Sequence, residues 1–321
     1  MIPPRWQGEA ISHRPVGEAE SPLIKRAKKV VVVSGRGVIP HHKVVKGPFR
    51  LSEGREDDFP DAGLIPVKIY VCMKHVPDTA ANIRPLGGRE FDESVKFIVN
   101  PYDEYAIEQA LLIREGGPGA EIVAVTVGKA AAASTLRTAL AVGADRGILV
   151  KTDAYFTEPI ETARLLHRAI SLDGIPDLIL AGRQSVDSEG MQIPYRLGVL
   201  FDMPVAVNVV AFSLANGQVT VEREIEGDVR EVIGMPLPCI VGATKGLNRP
   251  RSATLPEMMK AKKKEIRVIP AADLGPAPAV PAVELLELQA VADRGRGRML
   301  KGSPEEMVRE LLDALKQSRI L

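Results

Sequence analysis

From Val67 onward the chain alternates two hydrophobic periods, and that alternation leaves few folds open to it. Val67-Lys68-Ile69-Tyr70-Val71-Cys72-Met73, Glu121-Ile122-Val123-Ala124-Val125-Thr126-Val127, Gly147-Ile148-Leu149-Val150 and Asp177-Leu178-Ile179-Leu180-Ala181 are short, apolar and rich in β-branched residues. Such runs read as strands buried on both faces. Between them apolar residues recur at helical spacing: Ala106, Ile107, Ala110 and Leu111, then Leu136, Ala139 and Leu140, then Ile160, Ala163, His167 and Ile170. Strand and helix in turn predict right-handed crossovers and an α/β fold, an open parallel sheet covered by helices on both faces. Ligands of such a sheet bind beyond the carboxyl ends of its strands.

After Met203-Pro204 the rhythm changes to strand-like runs near 205–212, 218–224, 229–234 and 239–243, which predict an antiparallel ladder added to the sheet edge. Residues 265–321 read as a tail with a Pro/Ala-rich linker around 275–281. A closing amphipathic helix from about Pro304 to Lys316 sets Met307, Leu311, Leu312 and Leu315 on one face. Residues 1–66 mix Pro, Gly and charge with no sustained period apart from Lys29-Val30-Val31-Val32-Val33, and read as an extension. The organisation is thus an extension (1–66), an α/β domain (67–264) and a tail (265–321).

At 321 residues with a net charge of +1, the chain has no global attraction for nucleic acid or for a membrane surface. No apolar run approaches the roughly 20 residues that span a bilayer, and the amino terminus lacks the charged and apolar regions of a signal peptide, so a cytoplasmic location is expected. The two cysteines, Cys72 and Cys239, lie far apart in apolar stretches and read as reduced, buried thiols. Gly128-Lys129-Ala130 lacks the earlier glycine of a Walker loop, and Gly35-Arg36-Gly37-Val38-Ile39-Pro40 lacks the third glycine of a dinucleotide fingerprint. No nucleophile elbow, HExxH or paired-carboxylate pattern occurs, and the five histidines are scattered. His41-His42 are two adjacent histidines of the kind more often solvated than metal-ligating, and His167 on its stripe reads as a packing residue. No metal site is expected.

Three segments carry a functional reading beside an ordinary one. Asn100-Pro101-Tyr102-Asp103 suits a helix start, with Asn100 at the cap, and also suits backbone contact with an adenine or ribose at the sheet edge. Ala181-Gly182-Arg183-Gln184-Ser185-Val186-Asp187-Ser188-Glu189-Gly190-Met191-Gln192 follows the fourth strand and is rich in donors suited to phosphate; the alternative is a plain loop in which Asp187 or Ser188 caps the next helix. Arg251 to Lys264 reads either as a helix with a solvated basic end or as an exposed Leu255 beside cations that steer an acidic partner.

Taken together these segments resemble the electron transfer flavoprotein beta-subunit family, from about Val67 to Arg267. The most specific stretches are Val221-Glu222-Arg223-Glu224-Ile225-Glu226-Gly227, Met235-Pro236-Leu237-Pro238, and Lys245-Gly246-Leu247-Asn248-Arg249-Pro250-Arg251-Ser252-Ala253-Thr254-Leu255-Pro256 followed by Met259-Lys260-Ala261-Lys262-Lys263-Lys264. Ala139-Leu140-Ala141-Val142-Gly143-Ala144-Asp145-Arg146-Gly147 adds a second similar block.

The resemblance implies a Rossmann-like subunit that pairs with an alpha subunit whose carboxyl-terminal domain carries the redox FAD. It relays electrons from a dehydrogenase donor, such as an acyl-CoA dehydrogenase of fatty acid oxidation, to a quinone-reducing acceptor, as an electron carrier rather than a catalyst on its own. By motif matching, an adenine nucleotide would contact Cys72, Asn100, Pro101, Tyr102, Asp103, Val127 and the loop Arg183, Gln184, Ser185, Val186, Asp187, Ser188, Glu189, Gly190, Met191, Gln192, Ile193 and Pro194. Thr79 would approach the partner's flavin, Leu255 would insert into the dehydrogenase, and Lys260 and Lys263 would flank it. Members that hold structural AMP carry NPFC-like and DDDxNQTG-like loops, whereas flavin-bifurcating members carry a GDTAQVGP-like loop and a second FAD that takes hydride from NADH. Here Asn100 to Asp103 and Asp187 to Pro194 match neither set fully, so AMP and a second FAD both stay open. A flavin-free nucleotide-sensing homodimer on the same scaffold is a reading from another class, opposed by the ordered match from Val221 to Lys264.

Overall fold

The computed structural model describes residues 29–32, as backbone, and 67–117, 119–226, 229–276, 283–290 and 297–320. Most of 1–66, with Gly35 to Pro40 and His41-His42, and residues 277–281 of the proline/alanine linker lie outside the described residues. In chain order the elements are β1 (Lys29–Val32), β2 (Val67–Cys72), β3 (His75–Pro77), β4 (Pro85–Gly87), β5 (Glu90–Phe91), β6 (Phe97–Val99), α1 (Pro101–Gly116), β7 (Ala120–Gly128), α2 (Ala133–Val142), β8 (Arg146–Lys151) and α3 (Pro159–Asp173). They continue with β9 (Leu178–Gly182), α4 (Ile193–Phe201), β10 (Val205–Ala215), β11 (Gln218–Ile225), β12 (Val229–Pro236), β13 (Cys239–Ala243), α5 (Leu255–Ala261), β14 (Ile266–Pro270) and α6 (Pro304–Gln317).

Ten strands form one sheet in the order β1-β12-β11-β10-β13-β9-β2-β7-β8-β14. The strands expected from the apolar runs, β2, β7, β8 and β9, pair parallel at its centre, where continuous apolar sequence meets helices on both sides. Alternate residues face opposite ways. Ile69, Val71, Ile122, Ala124, Leu178 and Leu180 pack with Ala106, Leu111, Leu136 and Leu140 of α1 and α2. Tyr70, Val123, Val125, Ile148, Val150 and Ile179 pack with Leu165, Leu166, Ile170 and Leu197 of α3 and α4. Each fully buried aliphatic side chain contributes roughly 1.5–3 kcal/mol. Gly143, at φ +139°, ends α2, and a Cβ there would come within 2.7 Å of Leu111, so the turn into β8 requires glycine.

The antiparallel ladder is β10-β11-β12, as its short alternating runs predict. The run at 239–243 departs from that expectation. β13 lies between β9 and β10 and pairs parallel with both, and its residues are buried throughout, which is the condition of a central strand rather than of an edge. Two further strands sit on the sheet flanks. β14 pairs parallel with β8, and β1 pairs parallel with β12 at Lys29 to Val32 against Glu231 to Gly234. A separate compact unit comprises 82–93 and 285–320 of the described residues. In it β4 and β5 form a hairpin, Leu288 N–H donates to Gly88 O at 2.7 Å, and Ser303 with Glu306 forms a capping box that starts α6.

At the amino ends of the central strands Arg146 forks onto Asp173 at 2.8 and 2.7 Å while its Nε donates to Glu121 at 2.8 Å, and Tyr70 donates to Asp173 at 2.6 Å. Burial opposes ionisation of Asp173, but Arg146, Tyr70 and Lys68 outweigh it and hold the carboxyl at about 2. A carboxyl depressed below its unfolded value of ~3.9 contributes stability above that value and loses it as pH falls toward the folded value. Asp173→Asn is therefore expected to cost on the order of 2 kcal/mol at neutral pH, with the gap to wild type closing as pH falls from about 4 to 2 in denaturant unfolding.

Candidate functional site

The segments leaving the carboxyl ends of β2, β8 and β9 meet around the start of α1. Pro101 opens α1 as the sequence predicts, but Asn100 makes no side-chain cap. Its amide reaches across to another loop: Nδ2 donates to Gln184 O at 2.9 Å and Oδ1 accepts from Val186 N–H at 3.1 Å. Asp103 behaves likewise. Oδ2 accepts from Lys74 N–H at 2.6 Å and Oδ1 from Gly182 N–H at 2.9 Å. The Asn100 N–H completes the set by donating to Lys74 O at 3.0 Å. These side chains thus fasten the ends of β2 and β9 to each other. A Cβ at Gly182 would collide with Asp103 Oδ1 and come within 2.7 Å of Tyr102 Cβ, so this approach needs glycine. Burial drives the Asp103 carboxyl up to about 7, against the pull of its hydrogen bonds from Asn100, Lys74 N–H and Gly182 N–H.

The loop 183–192 is a compact turn. Ser185 O accepts from Glu189 N–H at 2.9 Å, and the hydroxyls of Ser185 and Ser188 lie 2.8 Å apart. Glu189 and Met191 take left-handed φ angles of 49° and 50°, uncommon for residues with side chains. Asp187 and Ser188 do not cap a helix, because α4 begins only at Ile193 and Gln192 stands in the cap position. Gln192 instead accepts from Arg196 Nε and Nη2, at 2.9 and 2.7 Å. Ser188, Glu189 and Gly190 form the exposed tip, and Pro194 is buried. Arg183 stacks its guanidinium 5.0 Å over the Tyr102 ring and donates from Nη1 to Asn208 Oδ1 at 3.3 Å. Its Nε is buried and has no hydrogen-bond partner among the described residues, and Thr126 Oγ1, one residue before Val127 on β7, is in the same condition. Cys72 is buried, and that burial pushes its thiol up to about 12.

Two residues that the motif reading passed over lie at the centre of this cluster. Lys74 Nζ contacts both oxygens of Asp187, at 2.8 and 2.7 Å, and Tyr155 donates to Asp187 Oδ2 at 2.9 Å. The signal available for Lys74 was its place just beyond the end of β2, where α/β sheets bind ligands. Tyr155 carried no local signal. Thr79 is exposed in the turn after β3, where Asp78 accepts from Ala80 N–H at 3.1 Å and pairs with Lys96 at 3.1 Å.

Leu255 and Lys260 on α5, with Lys263 in the turn that follows it, form a second group. Leu255 is 70% exposed at the first helical position, with Met258 and Met259 also exposed, so the short helix presents an apolar ridge beside lysines. Its foundations are firm. Asn248 Nδ2 donates to Tyr105 O at 2.9 Å, and Arg137 Nη1 donates to Ala261 O and Lys264 O at 2.8 and 2.6 Å. Arg251 donates from Nη2 and Nε to the buried Glu108 at 2.9–3.2 Å and from Nη1 to Glu115 at 2.6 Å. No group of three histidine, cysteine, aspartate or glutamate side chains placed to hold a metal occurs among the described residues.

Residues 90–274 match the electron transfer flavoprotein domain family. The chain is 36% identical over 254 residues to the electron transfer flavoprotein subunit beta of Bacillus subtilis (strain 168), a span covering 78% of this chain and 98% of that relative. It is 38% identical over 261 residues to the mitochondrial electron transfer flavoprotein subunit beta of Oryza sativa subsp. indica, covering 79% of this chain and 100% of the relative. Against the electron transfer flavoprotein subunit beta of Sus scrofa the identity is 39% over 214 residues, or 65% of this chain and 83% of the relative.

Proposed function

The chain belongs to the electron transfer flavoprotein beta-subunit family, and from that premise we propose that it is the beta half of a heterodimer whose alpha subunit holds the redox FAD. In this reading the beta chain binds an adenine nucleotide at the loop 183–192 and relays electrons from a dehydrogenase, of the acyl-CoA dehydrogenase kind, to a quinone-reducing acceptor in the cytoplasm. The flavin supplies the electron chemistry; this chain supplies docking and support. No helix among the described residues is long and apolar enough to cross a membrane.

The observation that carries the nucleotide site is the buried, unpartnered Arg183 Nε beside the clustered loops at the carboxyl ends of β2 and β9. A buried donor without a partner costs roughly 1–3 kcal/mol, and an anionic ligand at the sheet's carboxyl edge supplies the acceptor. Asn100 and Asp103 then serve the nucleotide indirectly, since their side chains are committed to loop backbone. Leu255 on its braced helix is the anchor for the dehydrogenase, with Lys260 and Lys263 steering acidic surface toward it.

Co-purification with the alpha subunit, followed by denaturation and chromatography of the released nucleotides, tests this reading. One FAD and one AMP per heterodimer is the expected result for a simple carrier. Two FAD and no AMP would transfer the beta loops to redox work in a flavin-bifurcating protein, and a chain that bound neither partner nor nucleotide would overturn the assignment.

A further inference from the structure

Three loops that are remote in sequence converge on one carboxylate. Lys74 follows β2, Tyr155 follows β8 and Asp187 follows β9. The Asp187 side chain is 10% exposed, with Lys74 Nζ on both of its oxygens and the Tyr155 hydroxyl on Oδ2. Lys74 Nζ also reaches Ser185 Oγ at 3.4 Å and Ser188 Oγ at 3.5 Å, so a single cation ties Ser185, Asp187 and Ser188 together. The Lys74 backbone is itself immobilised, its N–H by Asp103 and its carbonyl by the Asn100 N–H.

Tyr155 is fixed from the other side. Its ring meets Phe156 edge-on at 4.8 Å and Phe97 at 5.8 Å, and Phe97 stacks on His75 at 4.5 Å. The hydroxyl therefore stands at a set position over the loop. A turn that carries two side-chain-bearing residues in left-handed conformation needs such restraint to keep one shape. We propose that Lys74 and Tyr155 are positioning residues, which hold the loop 183–192 in its nucleotide-binding shape through Asp187. Asp187 is then an anchor of the loop and not a contact of the ligand, its charge neutralised by Lys74 so that a phosphate can approach the backbone N–H groups of the turn.

This assignment rests on the reading of the loop as a nucleotide site, and the test separates the two. The heterodimer is prepared as wild type, Tyr155→Phe, Lys74→Met and Lys74→Arg, and the release rate of bound adenine nucleotide is measured by dilution and chromatography alongside the melting temperature. Tyr155→Phe keeps the ring contacts and removes only the hydroxyl. It is expected to speed release about tenfold, the equivalent of one hydrogen bond to a charged group. Lys74→Met should speed release further and Lys74→Arg should restore most of the retention. Release at the wild-type rate from both Tyr155→Phe and Lys74→Met, or a lowered melting temperature with unchanged release, overturns the positioning role while leaving the nucleotide site standing. A wild-type complex free of adenine nucleotide overturns both.

Discussion

Asp103→Ala is expected to destabilise the chain by on the order of 3 kcal/mol and to strip the beta site of nucleotide, because it leaves two N–H donors, the partly buried one of Lys74 and the buried one of Gly182, without an acceptor. Loss of retention follows from the same bonds, since they join the end of β2 to the start of the loop 183–192. A pH signature separates this carboxyl from an ordinary structural one. With its value raised to about 7 by burial, the folded chain keeps a proton that the unfolded chain releases near pH 4. Stability contributed at this position is therefore full below the unfolded value, declines as pH rises toward 7, and levels above it. From pH 5 to 8 the wild type should lose roughly 2–3 kcal/mol through Asp103 relative to Asp103→Asn, which has no proton to release. His75 and His167 push the other way, because burial lowers both and the unfolded chain then binds the extra protons. The difference between the two proteins in denaturant unfolding cancels the histidines; a constant difference across that range would refute the assignment to Asp103.

Arg251→Ala should have the second large effect. Glu108 on α1 is nearly buried, and the Arg251 fork is its principal counter-charge. Removing the guanidinium leaves that carboxylate with the Arg251 backbone N–H at 3.1 Å, an uncompensated charge worth roughly 3 kcal/mol, reduced somewhat because Arg251 itself is partly open to water. Arg251→Lys should recover only part of the loss, since an ammonium cannot divide planar donor pairs between Glu108 and Glu115. The functional consequence belongs to the segment that follows. Leu255 stands four residues on, and an exposed anchor is useful only if its helix is already ordered when the partner arrives. Thermal unfolding should record the stability loss, and hydrogen exchange at 254–261 should rise in Arg251→Ala; unaltered exchange there would show that α5 is held by Arg137 and Asn248 alone.

What could be read along the chain and what could not divide by the range of the interactions involved. β2, β7, β8 and β9 and helices α1, α2 and α3 were legible because their apolar spacing is local and the sheet only has to accept it. The place of β13 was not, because its run is equally suited to a ladder edge and to the sheet centre, and only the pairing with β9 and β10 decides between them. Asn100 shows the same division within one residue. Its cap position before Pro101 was visible, but its side chain bonds Gln184 and Val186, more than eighty residues away, which local preference does not encode. Tyr155 is the extreme case, an ordinary loop tyrosine until the carboxyl ends of β8 and β9 bring it to Asp187.

By itself, then, the sequence determined the alternation of strand and helix and the family to which the chain belongs. Tertiary structure alone decided that Asn100 and Asp103 brace loops, that Asp187 is neutralised by Lys74 and hydrogen-bonded by Tyr155, and that Arg183 keeps a buried donor open. The reason is physical. Hydrophobic periodicity acts over a few residues and specifies elements, whereas the chemistry of a polar group depends on burial and on partners that folding brings from distant strand ends.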